Sequence, residues 1–576
     1  MRRQGMTMLV LVLGLSLALL PAVALAAAPK AKEPANAMAK AKAKKPPKIS
    51  GRGLETIVQD DGLLLYRPAA EVQAAVARMK QLGIDRVRIT ASWSSLAPDA
   101  DSDTKPAAFD GSDPAAYEQA RWGGLDTAIR AIRAAGLRAL VDIGFWAPHW
   151  ATSDPPGPRA RANIDPQEFA AFARAVVLRY SGAFTPPVPV PNVPAPPPAQ
   201  DESVIKELLQ PLVPFPIPDP LPPRVRAAQN GAAATPSAPL PDVDRFILWN
   251  EPNHQGLLMP QWKADKRTPA SPAVYRAMLR AGYAAAKQAR SSVRVLIGNT
   301  SSTGGKRGAG PVAPLEFLRE LACVDAKLKP RRTKDCARFK RLPGDGWAHH
   351  PYSQNERPSR VSKPKTEAGD LRIADLPLLA KTLDRLVRMG RIAPLNRNIY
   401  LTEFGYETKG IPGRPRVNER QQARWMTWAE YLADRVPRVR SFAQFLLRDQ
   451  PPAPQRVSQS AARPFGEYST GLLHIDGTDK VIATSFLAGL FAQLQPKGKV
   501  LLYGRLRLGP GPKVIVLQRQ VRGGRWTHLA RMTFDGVASF ERTLKHATGA
   551  KYRMTYPNAA GARASSMPLK PVPVRG

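Results

Sequence analysis

From about residue 51 to residue 495, short β-branched runs alternate with amphipathic helical stretches, and that rhythm leaves few folds open. Candidate strands lie near 53–58, 84–90, 137–143, 245–250, 292–297, 345–349, 398–402 and 438–446. Helical patterns fall between and after them, at 69–82, 119–135, 166–180, 271–290, 314–322, 371–390, 418–434 and 480–494. Strands joined through helices pair in parallel, and eight such units close into a (β/α)8 barrel, a TIM barrel. The rival, an open doubly wound sheet, would more often carry a glycine-rich turn after its first strand, and none is present. A barrel is therefore expected over 51–495.

Two segments break the rhythm. Residues 185–241 hold "TPPVPVPNVPAPPPAQ" and "PLVPFPIPDPLPP", a dense share of the 59 prolines. Proline at that density builds neither helix nor sheet interior, so this insertion is expected to lie over the surface as extended chain or to remain mobile. It precedes the fourth strand, on the face opposite a barrel's active mouth, and receives no catalytic role. After 496 the texture becomes "KVLLYGRLRLG", "KVIVLQRQV", "WTHLARMTF", "VASFERTL" and "KYRMTYP". Short alternating runs between glycine-containing turns predict a small, sandwich-like β domain over 496–560, with a tail at 561–576.

The chain opens with "MRRQGMTMLVLVLGLSLALLPAVALAAAPK". Arg2 and Arg3 precede an apolar core from Met8 to Leu20, and "ALA" at 24–26 matches a cleavage site, the pattern of a signal peptide over 1–26. Residues 27–50 are Ala, Lys and Pro without apolar period, and read as a disordered basic linker. The apolar run is short for a membrane span, and no later segment is long enough. The expectation is a secreted or cell-surface protein with no stable membrane span after cleavage. In that setting Cys323 and Cys336, the only cysteines, should join in a disulfide.

The net charge of +39 would favour acidic partners, an anionic cell-wall polymer among them. The alternative is an arginine-rich surface that is simply solvated. No nucleic-acid motif is present, so nucleic acid is not expected as a partner.

Barrels of this kind carry their chemistry at the C-terminal ends of the strands. Those ends hold Arg88 with Trp93 beyond it, then Trp146, His149 and Trp150 in "GFWAPHW". Next come Asn250 and Glu251 in "FILWNEPNHQG", His349, His350 and Tyr352 in "HHPYS", and Glu403 in "LTEFGYE". Two carboxylates facing each other across one mouth are what glycosidic cleavage needs: one protonates the leaving oxygen, the other attacks the anomeric carbon. Pro252 disfavours the helical region for Glu251, which is expected to stand extended at its strand end. Tryptophans at the mouth suit the apolar faces of sugar rings. The adjacent His349 and His350 point to opposite faces of a strand, so neither a metal site nor a cofactor is expected. Asp142 reads as a buried structural charge, with a rival catalytic acid as the alternative.

"WNEPN" after a strand and "TEFGY" some 150 residues later resemble clan A glycoside hydrolases of secreted bacterial type, particularly families 39 and 5. "VRI" and a following Trp at the second strand, "HHPY" at the sixth and "STGLLHIDGTDK" before the last helix fit the same frame. The resemblance implies Glu251 as acid/base, Glu403 as nucleophile and Asn250 on the sugar 2-hydroxyl. Arg88 and Tyr352 would orient and ionise Glu403, and His350 would line the subsite. The implied reaction is retaining, with carboxyls about 5–5.5 Å apart. Trp93, Trp146 and His149 would complete the substrate contacts. One departure stands out: where such enzymes often place a tryptophan after the last strand, this chain reads "FAQFLLRDQ", with Leu446, Leu447 and Arg448. Arg448 would meet an acidic sugar or pair with Asp449. The competing expectation is an inactive barrel kept as a cell-wall or carbohydrate-binding protein.

Overall fold

The computed structural model describes residues 48–50, 53–154, 160–187, 238–408, 417–450, 468–558 and 560–573. The expected signal peptide and all but the last three residues of the basic linker lie outside these, as do residues 188–237 of the proline-rich insertion.

Eight parallel strands close a barrel in chain order: β2 (Glu55–Gln59), β3 (Arg86–Ala91), β4 (Arg138–Ile143), β5 (Arg245–Leu248), β6 (Arg294–Thr300), β7 (Trp347–His349), β8 (Ile399–Leu401) and β9 (Val439–Phe445). The last pairs back on the first, with Glu55 beside Ser441 and Gln59 beside Phe445. Helices cover the outside. The one over Pro166–Arg179 starts where the Asp165 carboxylate accepts the amides of Gln167 and Glu168, a cap that satisfies donors left free in a first helical turn.

Because side chains alternate across a strand, each strand sends every second residue inward. Ile57, Leu140, Ile247, Leu296, Ala348, Tyr400 and Ala443, one from each strand but β3, form an apolar plug inside the barrel. On β3 the outward residues Val87, Ile89 and Ala91 pack under the helices, and the inward positions hold Arg86 and Arg88, both fully buried. A buried guanidinium needs carboxylates around it. At the strand starts Arg86 donates to Glu55 Oε1 at 2.8 Å and Asp244 Oδ1 at 2.6 Å. Above the plug, Arg88 organises the mouth.

The last helical expectation, 480–494, is corrected. The helix covers only Val481–Leu487, and the chain continues as strand β10 (Ala488–Gln495). This stretch is apolar on both faces of a strand: Leu490 and Ala492 enter the core of the C-terminal sheet, while Phe491 packs on Trp428 and Tyr431 of the barrel. Apolar side chains on both faces hide the two-residue period and imitate a helix. The antiparallel sheet therefore takes in residues from Ala488, eight before the 496 expected for the β domain.

The C-terminal domain is a six-stranded antiparallel sheet. The expected short runs merge into β11 (Lys499–Val521) and β12 (Thr527–Lys545), with a register shift between Arg507 and Pro512, followed by β13 (Ala550–Pro557). Two terminal segments join it. Residues Lys48–Ser50, placed in the disordered linker by composition, form β1 and pair with Ser539–Glu541. The expected tail supplies β14 (Arg563–Ser565), and its Leu569 and Val572 bridge to Tyr552 and Gln493. An edge strand with free backbone groups captures short segments that carry no periodic signal of their own.

The sheet docks on the barrel through two buried cations. Arg505 and Arg507, each 1% exposed, share the Glu430 carboxylate of helix Glu419–Asp434. Arg507 also donates to Thr56 Oγ1 at 3.0 Å and to the Phe486 carbonyl at 2.6 Å, and Arg505 to the Leu54 carbonyl at 2.6 Å. Gly83, at φ +70°, permits this approach: a Cβ there would sit 2.5 Å from Arg507 Cβ. Cys323 and Cys336 form the expected disulfide. Among the described residues no helix is long and apolar enough to cross a membrane.

Candidate active site

Residues on or just beyond seven of the eight barrel strands, β2 to β8, form the polar cluster. Arg88 reaches up from β3, where its guanidinium donates to Glu403 Oε1 and Gln59 Oε1, to Asp142 Oδ2 at 2.5 Å and to Asn250 Oδ1 at 2.8 Å. Burial pushes the Asp142 carboxyl up to about 6 against the opposing pull of Arg88. Its contacts are those of a structural counter-charge.

Glu403 follows β8 and is 8% exposed. Besides Arg88 it receives the Tyr352 hydroxyl on Oε2 at 3.1 Å. Both neighbours are donors, the arrangement that suits a carboxylate. Tyr352 is itself held by stacking on Phe404.

Glu251 lies just beyond β5, but the expectation that Pro252 holds it extended fails. Its φ is +39°, and that of Trp249 is +70°. The Glu251 N–H donates to the Asn299 carbonyl at 3.0 Å, and its carbonyl accepts from His254 N at 2.8 Å. The backbone turns out of the strand here, because the two bonds hold a left-handed residue that costs on the order of 1–2 kcal/mol. Strain of this kind persists where surrounding contacts over-determine it.

Glu251 Oε1 lies 2.8 Å from His350 Nδ1, and the direction of that bond follows from its neighbours. Asn299 Nδ2 faces the Trp249 carbonyl at 3.3 Å and Asn250 Oδ1 at 3.0 Å, both acceptors, so Asn299 Oδ1 points the other way. There it accepts the Thr402 hydroxyl at 2.8 Å and lies 2.9 Å from His350 Nε2. His350 Nε2 therefore carries the proton. Burial lowers the His350 imidazole to about 4, so at neutral pH the ring is uncharged and its Nδ1 is an acceptor. Glu251 must then donate, which requires the protonated acid. Burial raises its carboxyl above the ordinary range in the same direction.

Glu251, His350 and Glu403 each bring one donor atom within 4.8 Å of the other two. These are metal-ligand types. However, Arg88 already pairs with Glu403, and both His350 nitrogens are engaged, by Glu251 and by Asn299.

Other expected contacts fall elsewhere. Trp93 is 1% exposed, stacked on Phe172 and edge-on to Trp150; it is core, not a sugar platform. Trp146, at φ +55°, is also buried and ties its loop to the next strand's by donating to the Gly256 carbonyl at 3.1 Å. His149 is buried beside Asp103, 2.6 Å from its Oδ1, and bonds the Asp154 carbonyl. Asp449 is taken by Lys480 at 3.0 Å, which removes the suggested pair with Arg448. Leu446, at the position where a tryptophan is often found, is 1% exposed. Sequence reading missed Asn299, Thr402 and Gln59. Asn299 ends "VRVLIGNT" on β6, and a polar pair closing an apolar run was the available signal.

Fold and site together define a (β/α)8 barrel with an unequal pair of glutamates at its C-terminal mouth. No family model and no curated protein matches the chain. Among solved structures it is similar to a glucosidase from Croceicoccus marinus, 12% identical over 88% of this chain and 96% of that one, with a TM-score of 0.44. It is also similar to a GH5_18 from Bifidobacterium longum subsp. infantis, at 13% identity, 75% and 77% coverage and a TM-score of 0.40. A third is a GH30 endoxylanase from Clostridium papyrosolvens C71, at 9% identity, 88% and 97% coverage and a TM-score of 0.38.

Proposed function

We propose that the chain is an exported glycoside hydrolase that cleaves O-glycosidic bonds of a polysaccharide or oligosaccharide with retention of configuration. The observation that carries this reading is the pairing of two carboxyls across one mouth, Glu403 held by the Arg88 and Tyr352 donors and Glu251 by His350 Nδ1. One oxygen of each lies within 4.8 Å of an oxygen of the other, which supports the close pair of a retaining enzyme. In the first step Glu403 attacks the anomeric carbon while Glu251 gives its proton to the departing oxygen. In the second, the Glu251 carboxylate takes a proton from water, and that water displaces Glu403. Export rests on the basic, apolar and small-residue segments of the first 26 residues.

A panel of 2-fluoro glycosides with good leaving groups tests the reading, because such sugars trap the covalent intermediate. The expected result is inactivation with the label on the peptide holding Glu403. Label elsewhere, or none with any sugar while carbohydrate still binds, would favour the inactive carbohydrate-binding barrel. Glu251→Gln should cost about 10²–10⁴-fold on substrates with poor leaving groups and much less on dinitrophenyl glycosides, which need no protonation. Comparing the two substrate classes by initial rate checks this.

Asn299 acts as a positioning residue. In Asn299→Ala, His350 is free to carry its proton on Nδ1 and donate it to the Glu251 carboxylate, which stabilises the charged form. The acid then loses its proton at lower pH, and because turnover needs it protonated, the alkaline limb of kcat/KM moves down. A merely structural role would lower the rate without moving that limb.

A further inference from the structure

We infer that the far end of the C-terminal sheet, on the side whose other end docks on the barrel, is a docking surface for a carboxylate-bearing polysaccharide. Residues 496–576 contain 16 Lys and Arg against two Asp and Glu. Both acids are spoken for: Asp535 Oδ1 accepts the Gly511 amide at 2.7 Å, and Glu541 pairs with Arg435 of the barrel at 3.0 Å.

Register places the cations. Val516 of β11 is flanked by Arg531 of β12 and Thr555 of β13, Gln518 by Arg553, and Gln520 by Lys551, while Pro557 stands beside Arg563 of β14. Residues two apart on a strand share a face, so Arg531, Lys551, Arg553 and Arg563 all stand on one side of the sheet. The opposite side carries Leu517, Met532, Tyr552 and Met554, which fill the sheet's own core. Arg531, Lys551 and Arg563 are exposed and Arg553 is half-buried; among the described residues none has an acidic partner. Arg563 lies close enough to push the Arg553 guanidinium below its ordinary range, after burial the larger cause. Like charges held together on a flat face, with nothing opposing them, have favourable potential only for a polyanion.

The geometry selects among polyanions. Proteins that hold single-stranded nucleic acids combine a basic track along the backbone with free aromatic faces on which bases stack. Trp526, the aromatic ring here, is covered by the Arg553 guanidinium 4.2 Å from its centroid. Duplex DNA is read by an element entering a groove, and a broad sheet face does not enter one. A chain of uronic acids instead offers carboxylates that arginine and lysine meet at the surface. Choosing a polysaccharide rests on the glycosidase reading of the barrel; the basic face itself does not.

The test uses the full chain and immobilised polygalacturonate. Four substitutions together, Arg531→Gln, Lys551→Gln, Arg553→Gln and Arg563→Gln, should weaken retention at least about tenfold, and added salt should weaken the wild type in the same way. A control with the same loss of charge on exposed barrel positions, Arg67→Gln, Lys80→Gln, Lys381→Gln and Arg388→Gln, should stay within about twofold. Equal loss in the control would overturn the proposal, because net charge and not this face would then be responsible. Equally tight, face-dependent binding of an oligonucleotide would overturn the choice of polymer. Should the fourfold variant melt early, Lys551→Gln with Arg563→Gln, both exposed positions, carries the same comparison. Turnover of aryl glycosides by the same proteins separates the two readings. Face-dependent retention without turnover defeats the hydrolase and leaves the docking surface standing. Turnover with face-independent retention does the reverse.

Discussion

Glu403→Gln is expected to reduce hydrolysis of every glycoside, activated or not, by about 10⁴-fold or more. The amide keeps the shape of the side chain and its contact with Tyr352, but it cannot form the glycosyl ester. Leaving-group quality separates it from Glu251→Gln. A nucleophile is needed whatever departs, whereas an acid is needed only when the departing oxygen is basic. The substitution also leaves Arg88 with one carboxylate fewer, since Asp142 at 2.5 Å would remain its nearest anion. A thermal melt should therefore accompany the kinetics, and the loss of rate must exceed any loss of folded protein. Survival of more than a hundredth of the activity on dinitrophenyl substrates would remove Glu403 from the reaction.

The largest expected effect on stability lies far from the mouth. Glu430→Gln should destabilise the chain by about 3–5 kcal/mol, because it removes the carboxylate shared by two buried guanidiniums. Arg505 and Arg507 are each 1% exposed, so neither charge reaches water when its partner is lost. Burial already pulls the Arg507 guanidinium below its ordinary range despite Glu430. A useful contrast is Arg435→Ala, which breaks the exposed pair with Glu541 and should change stability by no more than about 1 kcal/mol. Urea unfolding of the two variants measures the difference. Should Glu430→Gln unfold no earlier than Arg435→Ala, the sheet is held to the barrel by its apolar contacts, Phe491 and Tyr503 on Tyr431, and the ionic triad contributes little.

The barrel was legible because its strands are bounded by clear helical stretches, and the observed strands begin and end within a few residues of the expected ones. Glu251 and Glu403 were legible because an ionisable residue closing an apolar run is costly unless it serves the mouth. The C-terminal region was read less well. Alternation over "SFLAGLFAQLQ" is masked by apolar residues on both faces, and short segments such as Lys48–Ser50 become strands only when an existing edge accepts them. The tryptophans misled for a related reason: a large aromatic ring near a strand end satisfies core packing and sugar binding equally well until its exposure is known.

Local order in the chain was enough to determine the alternation of strand and helix, the closure that follows from it, and which carboxyls stand at strand ends. Those properties depend on residues a few positions apart. Which glutamate holds its proton was decided only by tertiary structure, through Trp249, Asn250, Asn299, His350 and Thr402. These come from four different strand ends, and a hydrogen bond's direction depends on every partner that surrounds it in space.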